Sequence, residues 1–160
     1  MRELNINTSF KVYDSMDELD TETKKLMQKA IEARKTAYAP YSNFSVGAAL
    51  NLDNGETIAG TNQENAAYPS GLCAERVAIF YAGSKYPNAK VLKLCITASP
   101  NDRDSDTPIP PCGACRQSIA EYEFKQEAAI EIYFMGAKGE IYKSDSLKNL
   151  LPFMFDKNHL

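Results

Sequence analysis

Three cysteines and one glutamate hold most of the chemistry this sequence offers. They lie in two short segments, Cys73-Ala74-Glu75-Arg76 and Pro111-Cys112-Gly113-Ala114-Cys115-Arg116. Cys112 and Cys115 are three residues apart, so at the start of a helix both thiolates can face one ion. A third thiolate from Cys73 leaves one position of a tetrahedral zinc open. Structural zinc sites are closed by four protein ligands, whereas catalytic ones keep a place for water. The only histidine, His159, stands one residue from the end and is a poor general base, since chain termini are mobile. A carboxylate must then move the proton, and Glu75, two residues from Cys73, is placed to reach water on the metal. Three thiolates outweigh the charge of zinc. Helix N-termini offset part of that, each with roughly half a positive charge, and Arg76 and Arg116 are spaced to donate to the sulfurs.

Two plainer readings of the CxxC compete. A thioredoxin-like redox dithiol normally follows a strand near the N-terminus, and this pair follows a proline-rich loop late in the chain. A structural zinc needs a fourth ligand that the spacing does not supply. Cys95, between Leu94 and Ile96, reads as a small apolar residue inside a strand and stays out of the site.

These residues need elements to hold them. Leu4, Ile6, Phe10 and Val12 fall on even positions, the pattern of a short edge strand. Asp20 precedes an apolar helix face of Leu26, Met27, Ala30, Ile31, Ala33 and Ala37, with Asp20 as N-cap and Pro40 as the stop. Residues 46–52 and 57–61 form a hairpin around Asn54-Gly55, the signal of a type I′ turn. A loop over 62–72 leads to Cys73 and a helix to about Ala82. Residues 91–98 and 130–135 are buried strands, and a right-handed crossover makes them parallel. Between them, 99–111 is a long surface loop with four of the eight prolines. Its Asp102, Asp104 and Asp106 lack the glycine and glutamate of a calcium loop. A helix runs from about Gly113 towards Glu123. Lys138-Gly139 turns the chain into a strand over 140–143, and Ser144 or Asp145 caps a last short helix ended by Pro152. His159 reads as a solvated tail residue. The alternation predicts the α/β class, with a mixed five-stranded sheet covered by helices and one extra N-terminal edge strand.

Length and composition bound the function. The 160 residues suit one domain, and 44% hydrophobic with 24% charged residues excludes a disordered chain. No apolar run approaches the roughly 18 residues of a membrane helix. Met1-Arg2-Glu3-Leu4-Asn5 lacks a secretory apolar region, so a cytoplasmic protein is expected. A net charge of −3 argues against a polynucleotide partner.

The zinc-type segments, together with three others, resemble the cytidine deaminase family in its free-nucleoside branch. The others are Tyr38-Ala39-Pro40-Tyr41-Ser42-Asn43-Phe44-Ser45-Val46-Gly47-Ala48-Ala49, Asn62-Gln63-Glu64-Asn65-Ala66-Ala67-Tyr68-Pro69, and Leu150-Leu151-Pro152 with Phe155. They run in the family's order over about residues 25 to 156. The resemblance implies a three-layer fold and one domain over 1–160, with a core of 20–156 and an extension of 1–19. It implies one Zn²⁺ per chain on Cys73, Cys112 and Cys115, with Glu75 moving the proton. It implies that Asn62 and Glu64 hold the ribose, Phe44 packs on the base, and the Ala74 backbone meets the base amide edge. The family is usually homotetrameric, so Phe155 would enter a neighbour's site, with Tyr68 at that junction. The implied reaction is hydrolytic deamination of cytidine and 2′-deoxycytidine, with release of ammonia, in pyrimidine salvage. The loop over 99–111 is longer than the family's usual connection. Blasticidin-type deaminases share the PCGxCR motif, but Asn62 and Glu64 favour a ribose-bearing substrate. An RNA- or DNA-editing enzyme would need a basic channel, and a zinc-stabilised module without catalysis would not need Glu75.

Overall fold

Asp20 opens the first helix as its spacing predicts. Its carboxylate accepts from the Thr23 N–H at 2.9 Å and from the Thr23 hydroxyl at 2.6 Å, satisfying a first-turn donor. In the computed structural model, which describes residues 1–160, this helix, α1, spans Thr21–Arg34. Two further helices, α2 (Ala74–Lys85) and α3 (Gly113–Gln126), lie on the opposite side of one sheet. The strands are β1 (Lys11–Tyr13), β2 (Phe44–Leu52), β3 (Thr57–Thr61), β4 (Val91–Pro100), β5 (Glu131–Met135) and β6 (Ile141–Ser144).

The sheet order is β1-β6-β5-β4-β2-β3. β4 and β5 are parallel, as the crossover rule requires, and the other neighbours are antiparallel. Successive side chains point to opposite faces. Leu94 and Ile96 of β4 join Leu50, Ile79 and Ile132 beneath α2 and α3, while Cys95 joins Leu26, Met27 and Tyr133 beneath α1. The result is a three-layer α/β/α sandwich with a sixth strand at one edge. A side chain at residue 60 would keep α2 away from β3. A Cβ on Gly60 would stand 2.7 Å from both the Ala74 carbonyl oxygen and the Ala78 nitrogen. Glycine there lets the first turn of α2 lie directly on the strand.

Several boundaries differ from the sequence pattern. Leu4, Ile6 and Phe10 are outside β1, because β6 offers a register only from Lys143↔Lys11 to Ile141↔Tyr13 before it ends. α1 stops at Arg34 rather than at Pro40, since the Tyr38 N–H and carbonyl are taken by Asn62 O and Glu64 N in a bridge. The hairpin has only Gly55 at positive φ, 85°, with the Gly55 N–H bonded to Leu52 O at 3.1 Å. It is a three-residue turn with one left-handed glycine, not the expected type I′ turn, which needs positive φ at Asn54 as well. The last helix is reduced to a 3-10 turn, Leu147–Asn149, capped by Ser146 rather than by Ser144 or Asp145. Asp145 instead pairs with Lys143 at 2.9 Å. His159 is exposed, as a solvated tail residue should be, and it also caps its own 3-10 turn with Asp156 and stacks on Phe155 at 5.4 Å.

Candidate active site

The two cysteine segments meet where α2 and α3 begin. Cys73 and Cys112 are the N-cap residues, with extended backbones at φ −71°, ψ 155° and φ −66°, ψ 167°. Neither sulfur accepts from its own first turn, so the helix ends keep free N–H groups. Cys115 lies one turn into α3 and is fully buried. The Sγ atoms of Cys73 and Cys112 are 3.8 Å apart and those of Cys112 and Cys115 3.6 Å. All three lie within 4.8 Å of one another. A tetrahedral zinc with Zn–S bonds of about 2.3 Å has sulfur–sulfur edges of about 3.8 Å. A disulfide would need about 2.05 Å. The thiol group therefore fits one zinc ion and leaves a fourth position free of protein.

The electrostatics suit such an ion. The Cys73 thiol is pulled down to about 5, first by the Cys115 thiol donating to it, then by Arg76 and Cys112, against the effect of burial. The Arg76 Nη2 lies 3.9 Å from Cys73 Sγ. Cys115 is pushed up by that same hydrogen bond and by burial. Ligation by a divalent cation displaces these protons, since only thiolates bind it. Glu75 is 4% exposed, and burial first, then the Cys73 thiolate, push its carboxyl to about 7. Its Oε2 is buried with no hydrogen-bond partner. An unsatisfied carboxylate oxygen beside a three-thiol group calls for a proton-bearing ligand.

Above this floor lies a cavity of about 620 Å³. Phe44, Val46, Ile96 and Ala98 make one apolar wall, and Ile109 and Pro110 line it from the long loop. Asn62 and Glu64 supply polar groups, and Tyr41 and Tyr68 form the rim, 6.1 Å apart and both exposed. The Asn62 Oδ1 accepts from the Val46 N–H at 2.8 Å and its Nδ2 donates to Phe44 O at 2.9 Å, leaving one amide hydrogen. The Glu64 Oε2 accepts from the N–H groups of Tyr41 and Ser42. The Ser42 hydroxyl first, then these N–H groups, hold its carboxyl below the ordinary range. Ala74 is fully buried as the first residue of α2.

Cys73, Cys112, Cys115, Glu75, Arg76, Phe44, Asn62, Glu64, Ala74 and Tyr68 thus converge on one region. Two residues do not. Arg116 bonds Pro111 O at 2.8 Å and Leu150 O at 3.0 Å, so it ties the loop and the C-terminal segment to α3 instead of donating to a sulfur. Phe155 lies outside this chain's own cavity, its carbonyl held by Gln117 at 2.7 Å and its ring exposed. Cys95 is buried on the α1 side, with its thiol pushed up by burial. The sequence reading missed Ile109 and Pro110, which carry no motif of their own. It could have found Ile96 and Ala98, because they alternate on β4 with the residues facing α1.

Comparison with known proteins agrees with this geometry. Residues 20–130 match the family model of the cytidine and deoxycytidylate deaminase zinc-binding region. The chain is 42% identical over 130 residues to a cytidine deaminase from Halalkalibacterium halodurans, covering 81% of this chain and 91% of that one. It is 39% identical over 139 residues to a cytidine deaminase from Sporosarcina psychrophila, covering 87% and 95%. The crystal structure of a cytidine deaminase from Burkholderia pseudomallei superposes with a TM-score of 0.71 at 34% identity, over 86% of this chain and 100% of that one. Fold and site together define a zinc-binding enzyme of the deaminase class. The chain belongs to the cytidine and deoxycytidylate deaminase family. No helix is long and apolar enough to cross a membrane.

Proposed function

We propose that the chain converts cytidine, and 2′-deoxycytidine, with water to uridine or 2′-deoxyuridine and ammonia, in nucleoside salvage in the cytoplasm. The observation that carries this reading is the buried, unpartnered Oε2 of Glu75 beside the three thiols. Cys73, Cys112 and Cys115 would hold the zinc, which when bound supplies a Lewis acid that makes water a nucleophile near neutral pH. Glu75 takes the proton from the attacking water, gives it to the pyrimidine N3 and then assists the departing amine. A carboxyl raised to about 7 suits both directions of transfer. Arg76 and the ends of α2 and α3 offset the thiolate charge.

The remaining Asn62 amide hydrogen and the Glu64 Oε1 are the groups that bind the ribose hydroxyls. Phe44 packs on the base, and the Ala74 backbone meets its amide edge. A free nucleoside is favoured over its 5′-phosphate, because the Glu64 carboxylate stands in the cavity wall and Arg76 is the only cation among the lining residues. The exposed Phe155 ring would enter the cavity of a neighbouring subunit in a homotetramer, next to Tyr68.

The test is loss of cytidine absorbance with zinc-loaded protein, using Glu75→Gln as control. Turnover should fall by about 10²–10⁴-fold in the variant, the usual worth of a general acid–base group, with zinc content unchanged. Zinc-loaded native protein that leaves cytidine untouched would sink the reading.

A further inference from the structure

The loop over residues 101–111 enters the cavity at one end and is fastened at the other to the opposite face of the sheet. Ile96 and Ala98 of β4 face the cavity, while Thr97 and Ser99 point the other way. Ser99 is 5% exposed and holds the loop with both functions of its hydroxyl. It donates to Arg103 O at 3.0 Å and accepts from the Ser105 N–H at 3.1 Å. The Ser105 carbonyl in turn accepts from the N–H of Ala137, just after β5, at 2.6 Å. Beyond Ser105, no backbone hydrogen bond involves residues 106–110. Asp106 and Thr107 lie against Gly139 and Gly136 of the β5–β6 turn, and the Ser105 hydroxyl reaches Thr107 O at 3.5 Å; past Thr107 the next fastening is Arg116 on Pro111 O. Pro108, Pro110 and Pro111 fix φ and remove three of the donors, so residues 108–111 behave as a stiff strut between the segment tied to Ser99 and the Arg116 anchor. A shift at the first anchor is transmitted to Ile109 and Pro110 rather than absorbed.

We propose that Ser99 is a positioning residue for the substrate cavity, acting through the 101–111 loop on the wall formed by Ile109 and Pro110. The proposal rests on the cytidine-deaminating reading of the site for its kinetic consequence, though not for the mechanical one. Because the loop forms cavity wall rather than proton-transfer machinery, loosening it weakens binding of substrate and transition state alike. That raises KM and leaves kcat nearly unchanged.

Two arms test it. In the first, Ser99→Ala should raise the KM for cytidine about 5-fold with kcat within about twofold, a loss of uniform binding, and with zinc content native. Ile109→Ala should do likewise. The double variant should be no worse than the larger single one, because the two changes act through one wall. A Ser99 that only stabilised the fold would leave the KM of folded Ser99→Ala native. In the second arm, Ile109→Trp supplies the only tryptophan of a chain that has none. Adding Ser99→Ala to it should raise acrylamide quenching of that fluorophore. Should Ser99→Ala not fold, Ser99→Cys, similar in volume but weak in hydrogen bonding, takes its place in both arms. Unchanged quenching, a native KM in Ser99→Ala, or additive KM effects overturns the proposal. If the native chain does not turn over cytidine, the activity reading fails and the quenching result alone decides the inference.

Discussion

Gly60→Ala should disable the metal centre from a strand that holds none of the thiols. The added methyl would stand 2.7 Å from the Ala74 carbonyl oxygen and the Ala78 nitrogen, both backbone atoms of α2. Ordinary contact begins at 3.4 Å, so α2 must retreat by about 0.7 Å. Overpacking of this kind costs about 1–3 kcal/mol. The larger consequence is geometric. Cys73 moves with α2, whereas Cys112 and Cys115 move with α3. Zinc–ligand distances tolerate only about 0.2 Å, so the shift exceeds what three sulfurs gathered within 4.8 Å of one another can accommodate. Zinc affinity should fall on the order of 10–100-fold, the scale seen when the support of a ligand is lost.

Gly55→Ala is the matched control. It forces an L-residue to φ 85° in open space, with nothing within 4 Å of the new Cβ. A left-handed backbone costs an L-residue about 1–2 kcal/mol. Urea unfolding of the zinc-free chains should therefore show similar losses for both variants. Chelator competition should separate them, with Gly60→Ala releasing zinc readily and Gly55→Ala holding it as the native chain does. Native zinc affinity in Gly60→Ala would refute the argument that the β3–α2 contact sets the position of Cys73.

Glu123→Ala should cost about 3 kcal/mol in urea unfolding with KM unchanged, because it orphans the buried N–H groups of Ile130 and Leu147 that the carboxylate accepts at 2.8 Å each. Asp20→Ala should cost about 1 kcal/mol at neutral pH through the lost cap. Hydrogen bonds from the Thr23 hydroxyl and N–H hold the Asp20 carboxyl below its ordinary value. A depressed acid stabilises the fold above its unfolded pKa of about 4 and loses that contribution as pH falls through the lower folded value. The stability gap between native and variant should then be full at pH 6 to 7, by the same linkage, and close on acidification. A gap constant with pH would mean that Asp20 acts by something other than its charged cap.

What could be read in the sequence was local or governed by a topological rule. Asp20 carries its cap in one turn, the CxxC carries its spacing, and the parallel pairing of β4 with β5 follows from handedness. What escaped depends on partners far along the chain. The length of β1 is decided by how soon β6 ends, not by the alternation of Leu4, Ile6, Phe10 and Val12. Arg116 sits beside Cys115 in sequence, yet its guanidinium is claimed by Leu150, 34 residues away. Ile109 lines the cavity from a loop whose ties run to Ser99 on the far face of the sheet and to Ala137 after β5.

The choice of cysteine at both N-caps has a physical logic of its own. A serine or aspartate at residues 73 and 112 would accept a first-turn N–H and spend that donor inside the helix. The two thiols accept none, so both helix ends direct their partial positive charge towards the sulfurs. Three thiolates and a divalent cation leave one net negative charge. Two helix ends of roughly half a charge each compensate it, and Arg76 at 3.9 Å from Cys73 adds a whole one. With a zinc ion on the three sulfurs, the backbone and one guanidinium would offset the thiolate charge that blunts a Lewis acid. Glu75 is raised by a different cause: burial first, then the nearby Cys73 thiolate, push its carboxyl to about 7 against the pull of Arg76, poised between donor and acceptor.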